Sequence, residues 1–256
     1  MRLDSHASIA ADRTVPESSV RRGEAREGTV VRRRLSRCAP RAVQNQCLHR
    51  LHWHSQTQHE VFTAALEGLT PLSTQFSTTG ISRQLKMVAE SIAIAGGLGM
   101  ARQTYYITFG GFDNHGELLN NHSARLSLLS AAIGEFYQAM NELGMSDNVT
   151  TFTVSDFART LTSNGFGTDH AWGGNALVFG GAVNGGEIYG QYPSLALNNE
   201  LELGNGVLLP ELCTDEYFAE LALWLGVDSS ELEDIFPNIA NFYTPGTGNP
   251  IGFLNI

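Results

Sequence analysis

Apolar residues follow a helical period in two long stretches of the chain. Positions three or four apart form one stripe over residues 81–95 and a second stripe over residues 119–143. Gly144, directly after the second stripe, is typical of a helix C-terminus. The members of the two stripes are Ile81, Leu85, Val88, Ile92 and Ala95, and then Leu119, His122, Leu126, Leu129, Ile133, Phe136, Met140 and Leu143.

Short runs of β-branched and aromatic residues predict strands between and after these helices. They cover Gln103–Phe109, Asn148–Val154 and Ala176–Phe179, and Gly185–Tyr189 is typical of a hairpin or edge. Farther on, Thr214 can cap a further helix. Strands that alternate with helices predict an α/β domain with a largely parallel sheet.

The charge of the chain changes sign near residue 61. The 256 residues carry Lys+Arg 16 and Asp+Glu 26, a net charge of −10. Residues 1–60 hold eleven basic and six acidic residues (+5), whereas residues 61–256 hold five basic and twenty acidic residues (−15). Low hydrophobicity with clustered positive charge favours disorder. We therefore expect a disordered or non-native Arg-rich leader over residues 1–60 and an α/β domain over residues 61–256.

Several functional classes are excluded or weakened by composition. No run of about 18 apolar residues is present, so no transmembrane helix is expected. Cys38, Cys47 and Cys213 are too few and too widely spaced for a disulfide scaffold. The arginines of the leader could form a nucleic-acid arm, but the acidic remainder would repel phosphates, so no nucleic-acid partner is expected.

Residues suited to metal binding follow two of the predicted strands. Asp113 and His115 come after the first strand, Asp156 follows the next, and Asp169 and His170 lie in a later glycine-rich loop. Ligands of open α/β sheets bind beyond the carboxyl ends of strands. Carboxylate and imidazole are ligands of zinc and similar divalent metals. Three separate segments could therefore share one site.

These residues also have structural interpretations. Asp113 can cap the long helix, Asp156 can cap a turn, and Asp169 can form an Asx-turn. His122 is better explained as a core residue or a supporting residue than as a ligand. Arg159 is one of only five basic residues after position 60. Its guanidinium group can bind a phosphate or sulfate through two parallel hydrogen bonds. An ion pair with an acidic neighbour explains Arg159 equally well.

Several segments resemble a known bacterial family, the domain-of-unknown-function 1501 family. They read GGFDNHG, SDFARTLTSNGFGTDHAWGG, FGGAVNGGEIYGQYP and EYFAELALWLGV, and the resemblance covers roughly residues 61–245. That family is generally grouped with the sulfatase and alkaline phosphatase superfamily. The resemblance implies a three-layer αβα fold with a mostly parallel sheet.

The resemblance also implies a site and an activity. Asp113 and His115 would bind a metal ion (zinc, calcium or manganese), His170 and Asp169 would complete the cluster, and Asp156 would belong to a second metal position. Arg159 would face the substrate. The implied activity is metal-dependent hydrolysis of phosphate or sulfate esters, with an anionic ester as the substrate.

The sequence departs from the family pattern at several positions. Phe157 stands where superfamily enzymes carry a histidine after the aspartate, and Asn205 stands where the family tends to have arginine. No counterpart of the N-terminal half, which holds the nucleophile, is recognisable, so no catalytic nucleophile is identified. We therefore expect a chain that is incomplete at its N-terminus and inactive as it stands. The alternative is a non-catalytic scaffold or binding protein that retains a degenerate metal site.

Partners and localisation follow from the same resemblance. A sheet without its N-terminal strands exposes an edge, which predicts an oligomer formed through that edge. Family members are usually exported to the periplasm or the cell exterior, but this sequence shows no signal peptide and leaves its localisation open.

Overall fold

A computed structural model describes residues 7–12 and 57–256, with side chains from residue 57 onward. The helices are α1 (57–67), α2 (Gly80–Ala95), α3 (Leu118–Leu143), α4 (Thr214–Leu225) and α5 (Leu232–Ile235). The strands are β1 (Ala7–Asp12), β2 (Gln103–Ile107), β3 (Val149–Phe152), β4 (Ala158–Ser163), β5 (Thr168–Ala171) and β6 (Val178–Phe179). The fold is mixed α/β, as the alternation of helices and strands predicts.

The described strands do not form the mostly parallel sheet that the sequence predicts. Four of them lie in the order β2-β1-β3-β6, and every pairing between neighbours is antiparallel. The reason is β1, which comes from far upstream and lies between β2 and β3, antiparallel to both. The three-layer, alkaline phosphatase-like architecture stays a prediction.

Two of the strands, β2 and β3, do run parallel to each other, although they are not neighbours in the sheet. Because β2 and β3 are both antiparallel to β1, they run in the same direction, and α3 connects them. Their carboxyl ends therefore lie at the same edge of the sheet. The segments that follow these two strands carry the candidate metal ligands.

A separate two-stranded hairpin, β4–β5, follows β3. The sequence predicts no strands in this region but a turn and a glycine-rich loop. The four residues 164–167 between the two strands include Asn164-Gly165, a dipeptide common in turns, and this turn signal could have indicated the hairpin. Conversely, the hairpin predicted at Gly185–Tyr189 is wrong, because these residues form no strand.

The main core lies between α2, α3 and the sheet. Leu85 and Ala89 of α2 and Ala132 of α3 are completely buried. The stripe that predicts α2 is confirmed, because each of its five members is buried. The α3 stripe is confirmed in its middle and wrong at its start, where Leu119 is 84% exposed. Helical period alone does not show where a helix extends beyond its packing partner.

A second core joins α4 to the C-terminal segment. Trp224 and Leu254 are completely buried there, and Phe152 at the end of β3 is buried beside them. The N-cap of α4 is Cys213 rather than the predicted Thr214, and it forms a capping box with Glu216. Cys213 precedes the first helical residue, which is the position where a side chain can accept from the free N–H groups.

The predicted leader overlaps only briefly with the described residues. Strand β1 and the first residues of α1 lie within positions 1–60, and the remaining leader residues, including Cys38 and Cys47, lie outside the described part. The leader therefore stays a prediction. Within residues 7–12 and 57–256, no helix has the length and apolar character needed to cross a membrane, which agrees with the sequence prediction.

Candidate metal centre

Three of the predicted ligands lie together at the surface. Asp113 and His115 come from the loop between β2 and α3, and His170 comes from β5. One potential ligand atom of each lies within 4.8 Å of the others. Asp113 Oδ1 is 2.8 Å from His170 Nε2 and 3.0 Å from His115 Nε2. All three side chains remain partly exposed, so the group is open to solvent.

The loop that carries Asp113 and His115 is held by its own backbone and by α3. The side chain of Asn114 donates to the carbonyl oxygen of Gly111 over 3.1 Å. His122 of α3 lies with Nε2 3.4 Å from the carbonyl oxygen of Phe112, and its ring meets the Phe112 ring edge-on at 5.6 Å. The sequence predicts a core or supporting residue at His122, and these contacts fit the supporting role.

Asp113 does not cap the long helix. The N-cap of α3 is Glu117, which adopts a left-handed conformation with φ 51° and makes no side-chain capping bond. The structural interpretation of Asp113 as a cap is therefore wrong, and its carboxylate is available to the two histidines.

His115 lies between two carboxylates. Its Nε2 faces Asp113 Oδ1, and its Nδ1 is 3.0 Å from Asp169 Oδ1. Asp169 Oδ1 also accepts a hydrogen bond of 3.1 Å from the amide of Asn164. An imidazole donates from both nitrogens only when it is protonated, so a neutral His115 can donate to one of the two carboxylates. Of the three clustered ligands, Asp169 thus contacts His115, and it is not itself a member of that cluster.

The tip of the β4–β5 hairpin packs directly on the loop of Asp113 and His115. A Cβ at Gly167 would lie 2.6 Å from the carbonyl oxygen of Asn114 and 2.7 Å from the carbonyl carbon of His115. Only glycine allows this approach, since real Cβ contacts are not that short. Asn164 closes the tip by accepting from the N–H groups of Phe166 and Gly167 over 3.2 and 2.8 Å.

Arg159 connects the two parts of the site. Its Nε donates to Thr168 Oγ1 over 2.8 Å, and its Nη2 donates to the carbonyl oxygens of Asn114, over 2.7 Å, and of Thr168. Its Nη1 lies 3.3 Å from Asp113 Oδ1, and the side chain is only 15% exposed. These contacts occupy four of the five guanidinium N–H groups. The ion-pair interpretation of Arg159 therefore has direct structural support, and one N–H group remains for an anion.

Phe157 covers one face of His170. The two rings stack with their centroids 4.0 Å apart and an interplanar angle of 12°. The guanidinium carbon of Arg159 lies 5.6 Å from the centre of the Phe157 ring. Phe157 therefore restricts the orientation of His170, a role that no sequence pattern indicates.

The two carboxylates of the site are both held in their ionised form. The hydrogen bond from His170 lowers the pKa of Asp113 below its ordinary value, against a smaller rise from desolvation, and Arg159 and His115 lower it further. Hydrogen bonds from Asn164 and then from His115 lower the pKa of Asp169. A carboxylate that is already ionised is ready to bind a cation.

Asp156 is not among the three clustered ligands. It lies in the exposed turn between β3 and β4. Of the five predicted metal ligands, three have ligand atoms within 4.8 Å of one another. Asp169 contacts His115 Nδ1 instead, and Asp156 lies outside the cluster of described residues.

Comparison with known proteins supports one family. The family model described as Protein of unknown function (DUF1501) matches residues 93–212, which is 120 of the 256 residues. The matched segment contains the loop of Asp113, the β4–β5 hairpin and every residue of the cluster. Neither a curated protein nor a solved structure matches the chain.

Proposed function

We propose that the segment matched by this family binds one divalent metal ion through Asp113, His115 and His170, and that the metal centre serves hydrolysis of phosphate or sulfate esters. The observation that carries the proposal is the convergence of three ligand atoms, from two segments more than fifty residues apart, within 4.8 Å. The relation to the sulfatase and alkaline phosphatase superfamily is part of this proposal and rests on the sequence resemblance.

The donor set fits a metal ion. Two imidazole nitrogens, Nε2 of His115 and Nε2 of His170, lie within 3.0 Å of the single oxygen Asp113 Oδ1. Arg159 Nη1, which cannot bind a metal, lies 3.3 Å from the same oxygen. Ligands of a tetrahedral zinc ion with bonds near 2.05 Å are about 3.3 Å apart. The two histidine–carboxylate contacts, at 2.8 and 3.0 Å, are a few tenths of an ångström shorter than this spacing, and all three ligand atoms lie within 4.8 Å of one another.

Ligand chemistry narrows the choice among zinc, calcium and manganese. Calcium takes six to eight oxygen ligands, whereas two of these three donors are imidazole nitrogens. Zinc is commonly held by histidine and carboxylate, and its catalytic sites have three protein ligands and one open position. The exposure of all three side chains leaves such a position. We therefore propose zinc first and manganese second.

The chemistry of the site divides between the ion and the chain. When bound, a divalent metal polarises an ester oxygen and makes a bound water more acidic. Asp113 supplies a negative ligand, Phe157 restricts the ring of His170, and the remaining N–H group of Arg159 can bind an oxygen of the anion. Because four N–H groups of Arg159 already have partners, a bidentate clamp on the substrate is not proposed.

A second candidate function is a non-catalytic scaffold that retains one metal. Two observations favour it. Phe157, which stacks on His170, stands in the sequence where the resembled superfamily enzymes carry a histidine, and Asp156 lies outside the cluster of described residues. Two-metal stabilisation of attacking and leaving oxygens would then be impossible, while binding of one ion would persist.

Metal titration with activity measurements separates the two functions. The chain is stripped of metal, titrated with Zn²⁺ by calorimetry, and assayed on generic phosphate and sulfate esters with and without chelator. We expect one bound ion, and we expect Asp113→Ala to abolish binding, whereas Asp234→Ala, at an exposed position of α5, retains it. Turnover that chelator removes supports the hydrolase, and binding without turnover supports the scaffold. Absence of binding in the unaltered chain contradicts both.

A further inference from the structure

We propose that Asp169 is a positioning residue for the metal ligand His115 and does not bind the ion itself. This inference rests on the proposed metal centre and refines it. The resemblance implies that Asp169 completes the ligand cluster, whereas the structure places its carboxylate on Nδ1 of His115, over 3.0 Å. The nitrogen on the other side of the same ring, Nε2, faces Asp113.

The geometry of the imidazole separates the two roles. The two nitrogens of one ring point in different directions, so a group bonded to Nδ1 does not share an ion bound at Nε2. A carboxylate on Nδ1 keeps the proton there and leaves the Nε2 lone pair free for the metal. Asp169 is accordingly absent from the set of described side chains whose ligand atoms lie within 4.8 Å of one another.

Asp169 is itself held in place by the hairpin. Its Oδ1 accepts from Asn164 Nδ2 over 3.1 Å, and its backbone N–H donates to Thr160 Oγ1 over 3.1 Å. The same Asn164 side chain accepts from two N–H groups at the hairpin tip. Gly167 then fixes that tip against the backbone beside His115. The hairpin thus presents a fixed acceptor to His115, which is what an orienting group requires.

Two substitutions distinguish positioning from ligation. In Asp169→Asn, the amide oxygen can take the place of Oδ1 and keep both hydrogen bonds, from His115 and from Asn164, because both are made to that one atom. In Asp169→Ala, both are lost. A neutral amide is a much poorer zinc ligand than a carboxylate, so a ligand role would make the two variants equally damaging.

The experiment measures Zn²⁺ affinity by competition with a chromophoric chelator and records the visible absorption of the Co²⁺-loaded protein. We expect Asp169→Ala to weaken Zn²⁺ binding about 10- to 100-fold, as loss of an orienting partner does elsewhere. We expect Asp169→Asn to stay within about 5-fold of the unaltered protein, because its oxygen still accepts from His115. The stoichiometry and the Co²⁺ band position should be unchanged in both variants, since the same three side chains bind the ion.

The possible outcomes are distinct. If Asn and Ala weaken binding equally and shift the Co²⁺ band, Asp169 is a ligand and the inference is overturned. If neither variant changes the affinity, Asp169 has no role at the site and the inference is also overturned. If the unaltered protein binds no metal, the proposed function fails first. Far-UV circular dichroism of each variant, with Asp234→Asn as a matched control, identifies any loss of affinity that comes from misfolding.

Discussion

Glu220 of α4 is a buried carboxylate that holds the C-terminal segment. Its side chain is completely inaccessible to solvent. Oε2 accepts from the backbone N–H groups of Ile251 and Gly252 over 2.7 and 2.6 Å, and Oε1 accepts from Leu254 over 2.7 Å. Leu254 belongs to the second core, so these bonds join the end of the chain to that core.

The change Glu220→Gln removes one acceptor while leaving the shape of the side chain unaltered. The amide oxygen can keep two N–H groups as neutral bonds, and each of these loses about 1 kcal/mol compared with a bond to a charged acceptor. The third N–H then faces the NH₂ group and stays unsatisfied, which costs about 1–3 kcal/mol. Relief of the carboxylate's desolvation offsets part of this sum. We therefore expect a net loss of about 2–4 kcal/mol in the free energy of unfolding.

Urea denaturation at pH 7 measures this loss, and amide hydrogen exchange locates it. The exchange of Ile251, Gly252 and Leu254 should accelerate more than that of α2 and α3, because the C-terminal segment is released first. Glu233→Gln makes the same chemical change at an exposed position of α5 and should alter stability by less than about 0.5 kcal/mol. If Glu220→Gln costs no more than Glu233→Gln, the three bonds do not stabilise the fold as argued.

Two further perturbations test the packing around the site and the pH dependence of the fold. Gly167→Ala should destabilise the protein by about 1–3 kcal/mol, because its Cβ would overlap backbone atoms. Gly116→Ala, which meets only one contact at 3.9 Å, should cost much less, and equal urea midpoints would refute the packing argument. Bonds from Thr74 and Ser73 lower the pKa of Glu142 from 4.5 to about 2. Since the folded-state pKa is the lower one, Glu142 stabilises the fold above pH 4.5 and loses this effect as pH falls toward 2. Urea midpoints of Glu142→Gln should vary less with pH over that window than those of the unaltered protein, and identical slopes would contradict the assignment.

The hairpin shows why local patterns missed part of the site. The Asn164-Gly165 signal was present in the sequence, but the role of Asn164 depends on Asp169 and His115, which lie near it only after folding. Phe157 could be read from the sequence only as a departure from the family pattern. Its stacking on His170 depends on the pairing of β4 with β5.

The sequence by itself determined the elements and residue types that depend on short-range order. The stripe of α2, the glycine end of α3, and the aspartate and histidine residues after the strands follow from local spacing. The tertiary structure alone decided which of these residues meet. In the folded chain β1 lies between β2 and β3, so the pairings are antiparallel. Asp169 contacts Nδ1 of His115, and Asp156 lies outside the cluster of described residues. The physical reason is that a ligand set requires atoms within a few ångströms, and contacts between distant segments are set by packing and strand pairing.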